Sequence, residues 1–303
     1  MTDDLKIESI ISDVGTSVIS KEKLKGGFSH EAWLVRCSDE RGVVVRFGDA
    51  SSAIEAAVLS LAKTVVPVPN VLSFGDDFTV LSFVEGQTLE EVLVTHGPRE
   101  DFKKLATQLG QMVAAIGSIQ FERPGFFESD TLIPSSEDPW SQQLVTFCAD
   151  QLASSDRFSS SESSAWMRLC EQNAEALEAV DLVSRFVHSD MNPKNIIVDR
   201  INNEWQIAAL IDWEFAYSGC PFADVGNFFR FPSDYPAGFL AAFINGFELA
   251  SPQLTDQWKR QARILDMFSL SALAAKPKGH KIGDKAEAII RVWSANGIPP
   301  LAV

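Results

Sequence analysis

The chain has 303 residues, 46% of them apolar and 22% charged, and at about 150 residues per domain this length predicts two domains or one domain of two lobes. The composition excludes a collagen-like, low-complexity or wholly disordered chain. The net charge of −15 argues against broad nucleic-acid binding, because such binding needs a basic face to displace the counterions of a duplex. Surface acid keeps a chain soluble, but an acidic cleft would also attract a cationic substrate.

The cysteine pattern and the N-terminal segment favour a reducing compartment. The four cysteines lie far apart and include no C-x-x-C pair, so they match neither a disulfide framework nor a zinc site. The opening MTDDLKIESI lacks the basic region and the apolar run of a signal peptide. No stretch approaches the roughly 18 uninterrupted apolar residues of a membrane-spanning helix. We therefore expect a cytoplasmic protein that binds neither membranes nor nucleic acid.

Short strands dominate the first 85 residues. The segments EAWLVRC (31–37) and GVVVRF (42–47) flank a polar turn, a pattern that predicts an antiparallel hairpin. Residues 51–63 have an apolar stripe at helical spacing, and Ser52 with Glu55 would form a capping box at the start of that helix. Prolines end the helix, and NVLSFG and TVLSFV then predict two further strands. This order predicts a small lobe with an antiparallel sheet and one helix.

From Gly86 onward the pattern is mainly helical. An apolar stripe at helical spacing is formed by Phe102, Leu105, Leu109, Met112, Val113 and Ile116. Residues 122–139 contain three prolines and predict a loop or an insertion on the substrate side, whereas residues 234 to about 294 are again helical. The chain is therefore predicted to be α+β, with an N-terminal lobe over 1–85 and a larger, mainly helical lobe over 86–303.

The residues that could carry chemistry are concentrated between positions 186 and 231. There His188 and Asp190 precede Asn195 on a proline-containing loop, and Asp212 follows at the end of a later strand. Carboxylate and amide oxygens brought together in this way are ligands that Mg²⁺ prefers. Phosphoryl transfer uses one carboxylate to orient and deprotonate an attacking hydroxyl, and others to hold metal on the nucleotide phosphates. The alternative is that these side chains only cap a turn and a helix.

These motifs resemble those of the aminoglycoside phosphotransferase and choline kinase family, whose members are relatives of the protein kinases. HSDMNPKN resembles the family's catalytic loop and IDWE its metal-binding loop. Over nearly the whole chain, LKGGFSHEAWLV resembles the glycine-containing nucleotide loop, VVVRF the strand with a lysine or arginine, AIEAAVLSLA the lobe-linking helix, LSFVEGQTL the hinge and CPFADVGNF the stretch after the metal-binding aspartate. The resemblance implies a bilobal, protein-kinase-like fold with the nucleotide held between the lobes.

The resemblance also implies roles for individual residues of the catalytic region. Asp190 would be the catalytic base, which accepts the proton of a substrate hydroxyl. Asn195 and Asp212 would be the Mg²⁺ ligands and complete the catalytic set. Asp224 would brace the catalytic loop through backbone amides, and the role of His188 would be structural.

The predicted nucleotide-binding residues come from three segments of the small lobe. They are Gly26, Gly27, Phe28 and Ser29 of the glycine-containing loop, Arg46 with Glu55, and Ser82, Phe83 and Val84 in a hinge at about 81–86. By the resemblance Arg46 grips the α- and β-phosphates and Glu55 holds its guanidinium, although the capping box is an alternative use of Glu55. Backbone groups of the hinge would meet the purine ring, so the side chains leave the choice between ATP and GTP open.

Two features depart from the patterns of related kinases. Ser189 stands where the family usually has glycine, which puts the local backbone angle in question. Only a few residues separate Asp212 from Asp224, so the chain lacks a long activation segment of the protein-kinase type. We therefore predict an enzyme that is active without phosphorylation control.

Aromatic residues are frequent after the second motif, and most are predicted to form core beneath the catalytic loop. They are Phe215, Tyr217, Phe222, Phe228, Phe229 and Phe231. The alternative for Tyr217 or Trp213 is a position facing the substrate. Glu214 and Asp234 are candidate carboxylates for a cationic substrate.

The function predicted from these residues is Mg²⁺-dependent transfer of the γ-phosphoryl group of ATP or GTP to a hydroxyl of a small molecule. An aminoglycoside-type antibiotic, choline, another amino alcohol, a sugar or a nucleoside would all be compatible acceptors. One alternative is a non-catalytic nucleotide-binding module that acts through a protein partner, but the intact set of Asp190, Asn195 and Asp212 argues against it. A protein kinase is disfavoured by the short segment after Asp212 and by Asn192, where such kinases commonly carry lysine.

Overall fold

A computed structural model describes residues 3–24, 31–48, 52–96, 101–251 and 254–301. Its contacts divide the chain into two compact units. The first unit comprises Met1–Val94, Phe127–Ile133 and Lys194–Phe215, and the second comprises Thr95–Phe126, Pro134–Pro193 and Ala216–Val303. The first unit thus includes two later segments of the chain, and the lobe boundary near residue 85 stays a prediction.

The elements of the described residues follow one another in an order that is mainly β, then mainly α. In chain order they are α1 (Asp3–Asp13), β1 (Val18–Lys23), β2 (Glu31–Cys37), β3 (Gly42–Phe47), α2 (Ser52–Ala62), β4 (Val71–Phe74), β5 (Phe78–Ser82), β6 (Gln87–Thr88), α3 (Leu89–His96), α4 (Asp101–Ile116), β7 (Gly125–Phe126), α5 (Trp140–Ala153), α6 (Ser160–Ala174), β8 (Arg185–Val187), β9 (Ile196–Ile201), β10 (Glu204–Leu210), β11 (Tyr217–Gly219), α7 (Phe222–Phe228), α8 (Phe239–Ala250), α9 (Trp258–Ala274) and α10 (Lys281–Asn296). None of the helices in these described ranges combines the length and apolarity needed to cross a bilayer.

The first unit is built on a five-stranded antiparallel sheet in the order β1-β2-β3-β5-β4. The predicted hairpin is present as β2 and β3, and the predicted helix is present as α2. Helix α1 and strand β1 have no counterpart among the predicted elements. Helix α1 buries Ile7, Ile10 and Ile11 in a core cluster with sheet residues such as Val35 and Val43, which explains why an additional helix forms there.

A second, three-stranded sheet of the first unit, in the order β10-β9-β6, brings the two predicted metal ligands to one end of a hairpin. Strands β9 and β10 are joined by Asn202 and Asn203, both with positive φ, as a tight hairpin turn between paired strands requires. At the other end Leu210 pairs with Ile196. Residues immediately before β9 and immediately after β10 are therefore neighbours.

Helices dominate the second unit, which also contains the short sheet β7-β11-β8. Helices α4 and α8 pack against each other at two glycines. A Cβ at Gly246 would lie 2.1 Å from the carbonyl oxygen of Thr107, and one at Gly110 would lie 2.1 Å from that of Phe243. The two backbones are thus in direct contact, and no larger residue fits at either position.

We expect Gly246→Ala to lower the free energy of unfolding by about 1–3 kcal/mol, because the added methyl group overpacks this contact. The direction is informative, since alanine in an unconstrained helix is favoured over glycine by about 1 kcal/mol. Urea denaturation followed by tryptophan fluorescence would measure the change. Asn245→Ala, at the exposed adjacent position of α8, is the control and should stay within about 0.5 kcal/mol of the wild-type chain. A Gly246→Ala variant as stable as the wild-type chain would contradict the close contact.

Candidate active site

In the first unit, Arg46 on β3 is surrounded by three carboxylates. Its Nη1 lies 2.5 Å from Oε1 of Glu55, and its Nη2 lies 3.1 Å from Oδ1 of Asp212 and 3.5 Å from Oε2 of Glu214. We call these four residues the Arg46 cluster. The predicted pair of Arg46 and Glu55 is therefore present. The forked guanidinium of Arg46 also contacts Asp212, the predicted metal-binding aspartate.

The Arg46 cluster has an excess of negative charge. Three carboxylates and one guanidinium give a formal charge of −2. The side chains of Arg46, Glu55 and Glu214 are 14%, 12% and 11% exposed, whereas that of Asp212 is 34% exposed. Partial burial strengthens electrostatic interactions, so this cluster would favour an added cation next to Asp212.

Asn195 and Asp212 lie at the same end of the β9–β10 hairpin. The backbone N–H of Ile211 donates to the carbonyl oxygen of Asn195 at 2.9 Å, which joins the two segments one residue before Asp212. Asp212 has a φ of 66°, in the left-handed region that aspartate tolerates better than most residues. The side chains of Asn195 and Asp212 supply the amide and carboxylate oxygens that suit Mg²⁺.

This donor set fits a magnesium ion that is shared with a nucleotide. Within the described ranges of the chain, no group of three or more histidine, cysteine, aspartate or glutamate side chains could hold a metal ion. Mg²⁺ usually takes only one or two carboxylates and completes its shell with water and substrate phosphate. One carboxylate and one amide oxygen are therefore a sufficient protein contribution.

In the second unit, the loop from His188 to Asp190 is held by the buried carboxylate of Asp224 on α7. The backbone N–H of His188 donates to its Oδ2 at 2.9 Å, and that of Ser189 donates to its Oδ1 at 2.7 Å. Burial raises the pKa of Asp224, and the two N–H groups oppose that shift. These are the backbone contacts that the resemblance implies for Asp224.

The position where the family usually has glycine adopts a backbone angle that glycine would favour. Ser189 has a φ of 72°, which costs a residue with a Cβ about 1–2 kcal/mol. The next N–H, that of Asp190, donates to Nδ1 of His188 at 3.2 Å, so this nitrogen carries no proton. His188 is fully buried, and its contact with the backbone agrees with a structural role.

The structure describes only some of the predicted nucleotide-binding residues. Gly26, Gly27, Phe28 and Ser29 lie outside the described residues. The N–H of Ser82 donates to the carbonyl oxygen of Asn70 at 2.8 Å and the N–H of Phe83 to that of Gly42 at 3.0 Å. Those two donors are thus used within the first unit, and purine binding by Ser82, Phe83 and Val84 stays a prediction.

The aromatic residues after the second motif are mostly core, as predicted. Phe222, Phe228 and Phe229 are buried. The alternative position facing the substrate is not supported for Trp213 or Tyr217, which are 1% and 8% exposed. Phe215 is the exception to the core prediction, since it is 53% exposed, and Phe231 is half-buried.

The two carboxylates predicted for a cationic substrate already have cationic partners. Glu214 belongs to the Arg46 cluster, and Asp234 accepts a hydrogen bond from Lys285 at 2.7 Å. Sequence reasoning also missed Asn227, Arg230 and Asp266, which are buried in the second unit. The sequence does contain an indication of Arg230 and Asp266, since both are charged residues within apolar runs. Charged residues are buried only when paired, so two such residues predict a buried ion pair.

A small-molecule kinase is the class of protein that this fold and these residues define. The sequence matches the model of the phosphotransferase enzyme family, APH, over residues 22–260. The chain therefore belongs to this family. Membership confirms the predicted family and the prediction that the chain is a small-molecule phosphotransferase.

Solved structures of related fold include three phosphotransferase structures. Aminoglycoside phosphotransferase APH(4)-Ia is 19% identical, with a TM-score of 0.68 over 96% of this chain and 99% of that chain. A thermostable mutant of that enzyme in complex with ADP and hygromycin B is 19% identical, with a TM-score of 0.67 over 96% and 99%. Macrolide 2'-phosphotransferase MphH from Brachybacterium faecium is 15% identical, with a TM-score of 0.65 over 97% and 98%. These similarities confirm the predicted kinase-like α+β fold. A comparison with curated protein sequences found no significant match.

We expect Ser189→Gly to raise the free energy of unfolding by about 0.5–1 kcal/mol, because glycine removes the strain of the positive φ. The gain is smaller than the strain itself, since glycine also increases the conformational entropy of the unfolded chain. Ser189→Ala is the control, since it keeps a Cβ and therefore keeps the strain. Chemical denaturation of the three chains would measure the difference. Equal stabilities of the glycine and alanine variants would show that Ser189 is not strained.

Proposed function

We propose that this chain transfers the γ-phosphoryl group of ATP or GTP to a hydroxyl group of a small molecule, in a reaction that requires Mg²⁺. The observation that carries the proposal is the 3.1 Å contact between Arg46 and Asp212. This contact brings the cation that would bind the phosphates next to the carboxylate that would bind the metal. A magnesium–nucleotide complex needs that combination, because the cation and the metal bind the same phosphates.

Three residues of the Arg46 cluster, together with Asn195, would bind the nucleotide phosphates and their metal ion. Arg46 would bind the α- and β-phosphates while Glu55 keeps its guanidinium in place. Asn195 and Asp212 would hold Mg²⁺, and the metal, when bound, neutralises the charge that develops on the phosphates. The purine would be bound by backbone groups of Ser82, Phe83 and Val84, as predicted.

Asp190 would act on the acceptor. Its carboxylate would accept the proton of the substrate hydroxyl and orient the oxygen for attack on the γ-phosphorus. The loop is suited to this role because the N–H groups of residues 188, 189 and 190 are all hydrogen-bonded within the second unit. A fixed backbone limits the positions that the carboxylate can take, which lowers the entropic cost of orienting the reactants.

The acceptor class we propose is a cationic small molecule, such as an aminoglycoside-type antibiotic or an amino alcohol. The net charge of −15 supports it, because an acidic protein attracts cationic substrates. The ternary complex of the APH(4)-Ia mutant with ADP and hygromycin B supports it too, since a protein of similar fold binds an antibiotic together with a nucleotide. We expect the reaction to take place in the cytoplasm and to require no phosphorylation of the chain.

A coupled assay of ATP and GTP turnover would test the reaction across aminoglycosides, amino alcohols, sugars and nucleosides, with Mg²⁺ present and removed. We expect acceptor-dependent turnover that needs the metal, and a loss of kcat of about 100-fold or more in Asp190→Asn, which lacks the base. Asp199→Asn, at an exposed position of β9, is the control and should retain wild-type kcat.

Three results would contradict the proposal. Full activity of Asp190→Asn would show that Asp190 is not the base. Nucleotide binding without turnover on any acceptor would favour the alternative of a binding module. Phosphate transfer to protein instead of a small molecule would indicate a protein kinase.

We expect Arg46→Lys to raise the KM for the nucleotide roughly tenfold, because one ammonium group cannot replace the separate charged hydrogen bonds of the two guanidinium nitrogens. Steady-state kinetics with varied nucleotide would measure it. Arg41→Lys, which changes an exposed arginine of the same unit that pairs with Asp39, is the control and should leave KM unchanged. An unaltered KM in Arg46→Lys would show that Arg46 does not bind the phosphates.

A further inference from the structure

A buried polar network lies behind the catalytic loop and has no part in the chemistry described above. Its members are Asn227 on α7, Arg230 just after α7 and Asp266 on α9, which are 7%, 8% and 1% exposed. All three belong to the second unit, as do residues 188–190.

The network forms a continuous path of hydrogen bonds to the residue that precedes Asp190. Oδ1 of Asp266 accepts from Nε of Arg230 at 2.9 Å and from its Nη2 at 2.6 Å. Nη2 of Arg230 also donates to Oδ1 of Asn227, and Nδ2 of Asn227 donates to the carbonyl oxygen of Ser189. The path therefore ends one peptide bond away from Asp190.

Arg230 determines which end of the Asn227 amide faces the loop. Oδ1 of Asn227 accepts from Arg230 and also from the hydroxyl of Ser269 at 3.3 Å. These donors fix the oxygen on the side away from the loop, so the NH₂ group faces the carbonyl of Ser189. A reversed amide would bring two oxygen acceptors together, and the carbonyl of Ser189 would lose its donor.

The hydrogen bond from Asn227 acts on a strained residue. Ser189 has a φ of 72°, a conformation that persists only where its surroundings hold it. Asp224 holds its N–H and Asn227 holds its C=O. The left-handed residue is thus fixed on both sides, and the direction in which the chain enters Asp190 is fixed with it.

The network is expensive to bury, which argues against a role in stability alone. A buried ion pair seldom stabilises a fold more than apolar residues of the same volume would. Within the described residues, Oδ2 of Asp266 is buried and has no hydrogen-bond partner. Helix α7 also lies directly on α9, since a Cβ at Gly226 would be 2.2 Å from the carbonyl oxygen of Ala262. The close packing of α7 on α9 therefore leaves the network little room to move, and the burial of its charges costs free energy.

We propose that Arg230, anchored by Asp266, is a positioning residue for Asp190. It orients the amide of Asn227, Asn227 holds Ser189 in its left-handed conformation, and that conformation places the carboxylate of Asp190. The inference rests on the proposed function, because it assigns to Asp190 the role of base.

The test combines variants of the network with a variant that relieves the strain. We expect Asn227→Ala and Arg230→Gln to lower kcat about tenfold or more, because a misplaced base loses orientation, and to leave the KM for nucleotide within about twofold. Amide hydrogen exchange at residues 189 and 190 should become faster. Adding Ser189→Gly to Asn227→Ala should restore kcat by about threefold or more, because glycine adopts the same φ without being held.

Arg157→Gln is the control for the loss of a buried arginine. The side chain of Arg157 is fully buried in the same unit and pairs with Asp284 and Glu287. We expect this variant to lose stability but to keep kcat per folded molecule and the exchange rates at residues 189 and 190. Asn227→Ala, the smaller change, decides the test if Arg230→Gln does not fold.

The possible results separate this inference from the proposed function. Wild-type kcat in Asn227→Ala, or a loss that Ser189→Gly does not reverse, would overturn the positioning role. Absence of turnover by the wild-type chain would reject the proposed function instead. In that case hydrogen exchange alone decides whether the network holds the loop: faster exchange in Asn227→Ala supports it, and unchanged exchange overturns it.

Discussion

The conformation of the loop at residues 188–190, which carries the proposed base Asp190, depends on the buried carboxylate of Asp224. It accepts the N–H groups of two consecutive residues, His188 and Ser189, and so compensates for a backbone angle that Ser189 would otherwise avoid. Burial disfavours the charged form of this carboxylate, whereas hydrogen bonds from N–H groups favour it. The loop and the carboxylate therefore stabilise each other, because removing either would leave buried polar groups of the other unsatisfied.

The two units use buried charge in different ways. In the second unit, Asp266 accepts two hydrogen bonds from Arg230, and this pairing favours a fixed geometry. In the first unit, Arg46 faces three carboxylates, and the excess negative charge favours the arrival of a cation. Glu55 contacts Nη1 of Arg46 and Asp212 contacts Nη2, so a rotation of the Asp212 side chain would leave the contact with Glu55 in place.

Much of the fold and part of the site could be predicted from local patterns. The hairpin of β2 and β3 and helix α2 follow from periodicity over neighbouring residues, and the pair of Arg46 and Glu55 follows from a resemblance in which only one acidic partner is available. Helix α1 was missed although Ile7, Ile10 and Ile11 have helical spacing, because its acidic and polar residues dilute that signal. The exposure of Phe215 could not be predicted, since hydrophobicity alone does not show which apolar side chains remain on the surface.

The sequence by itself determined the chemical groups and their order along the chain: Asp190, Asn195 and Asp212 with the spacing of a phosphotransferase motif, and an acidic composition. Only the tertiary structure decided how these groups are held. The left-handed angle of Ser189 depends on acceptors and donors from α7, and the pairing of Arg230 with Asp266 joins residues 36 positions apart. The energy of burying a charge depends on its partner in space and not on its neighbours in sequence. Local sequence patterns therefore cannot show such a pairing, because the two segments meet only when the helices pack.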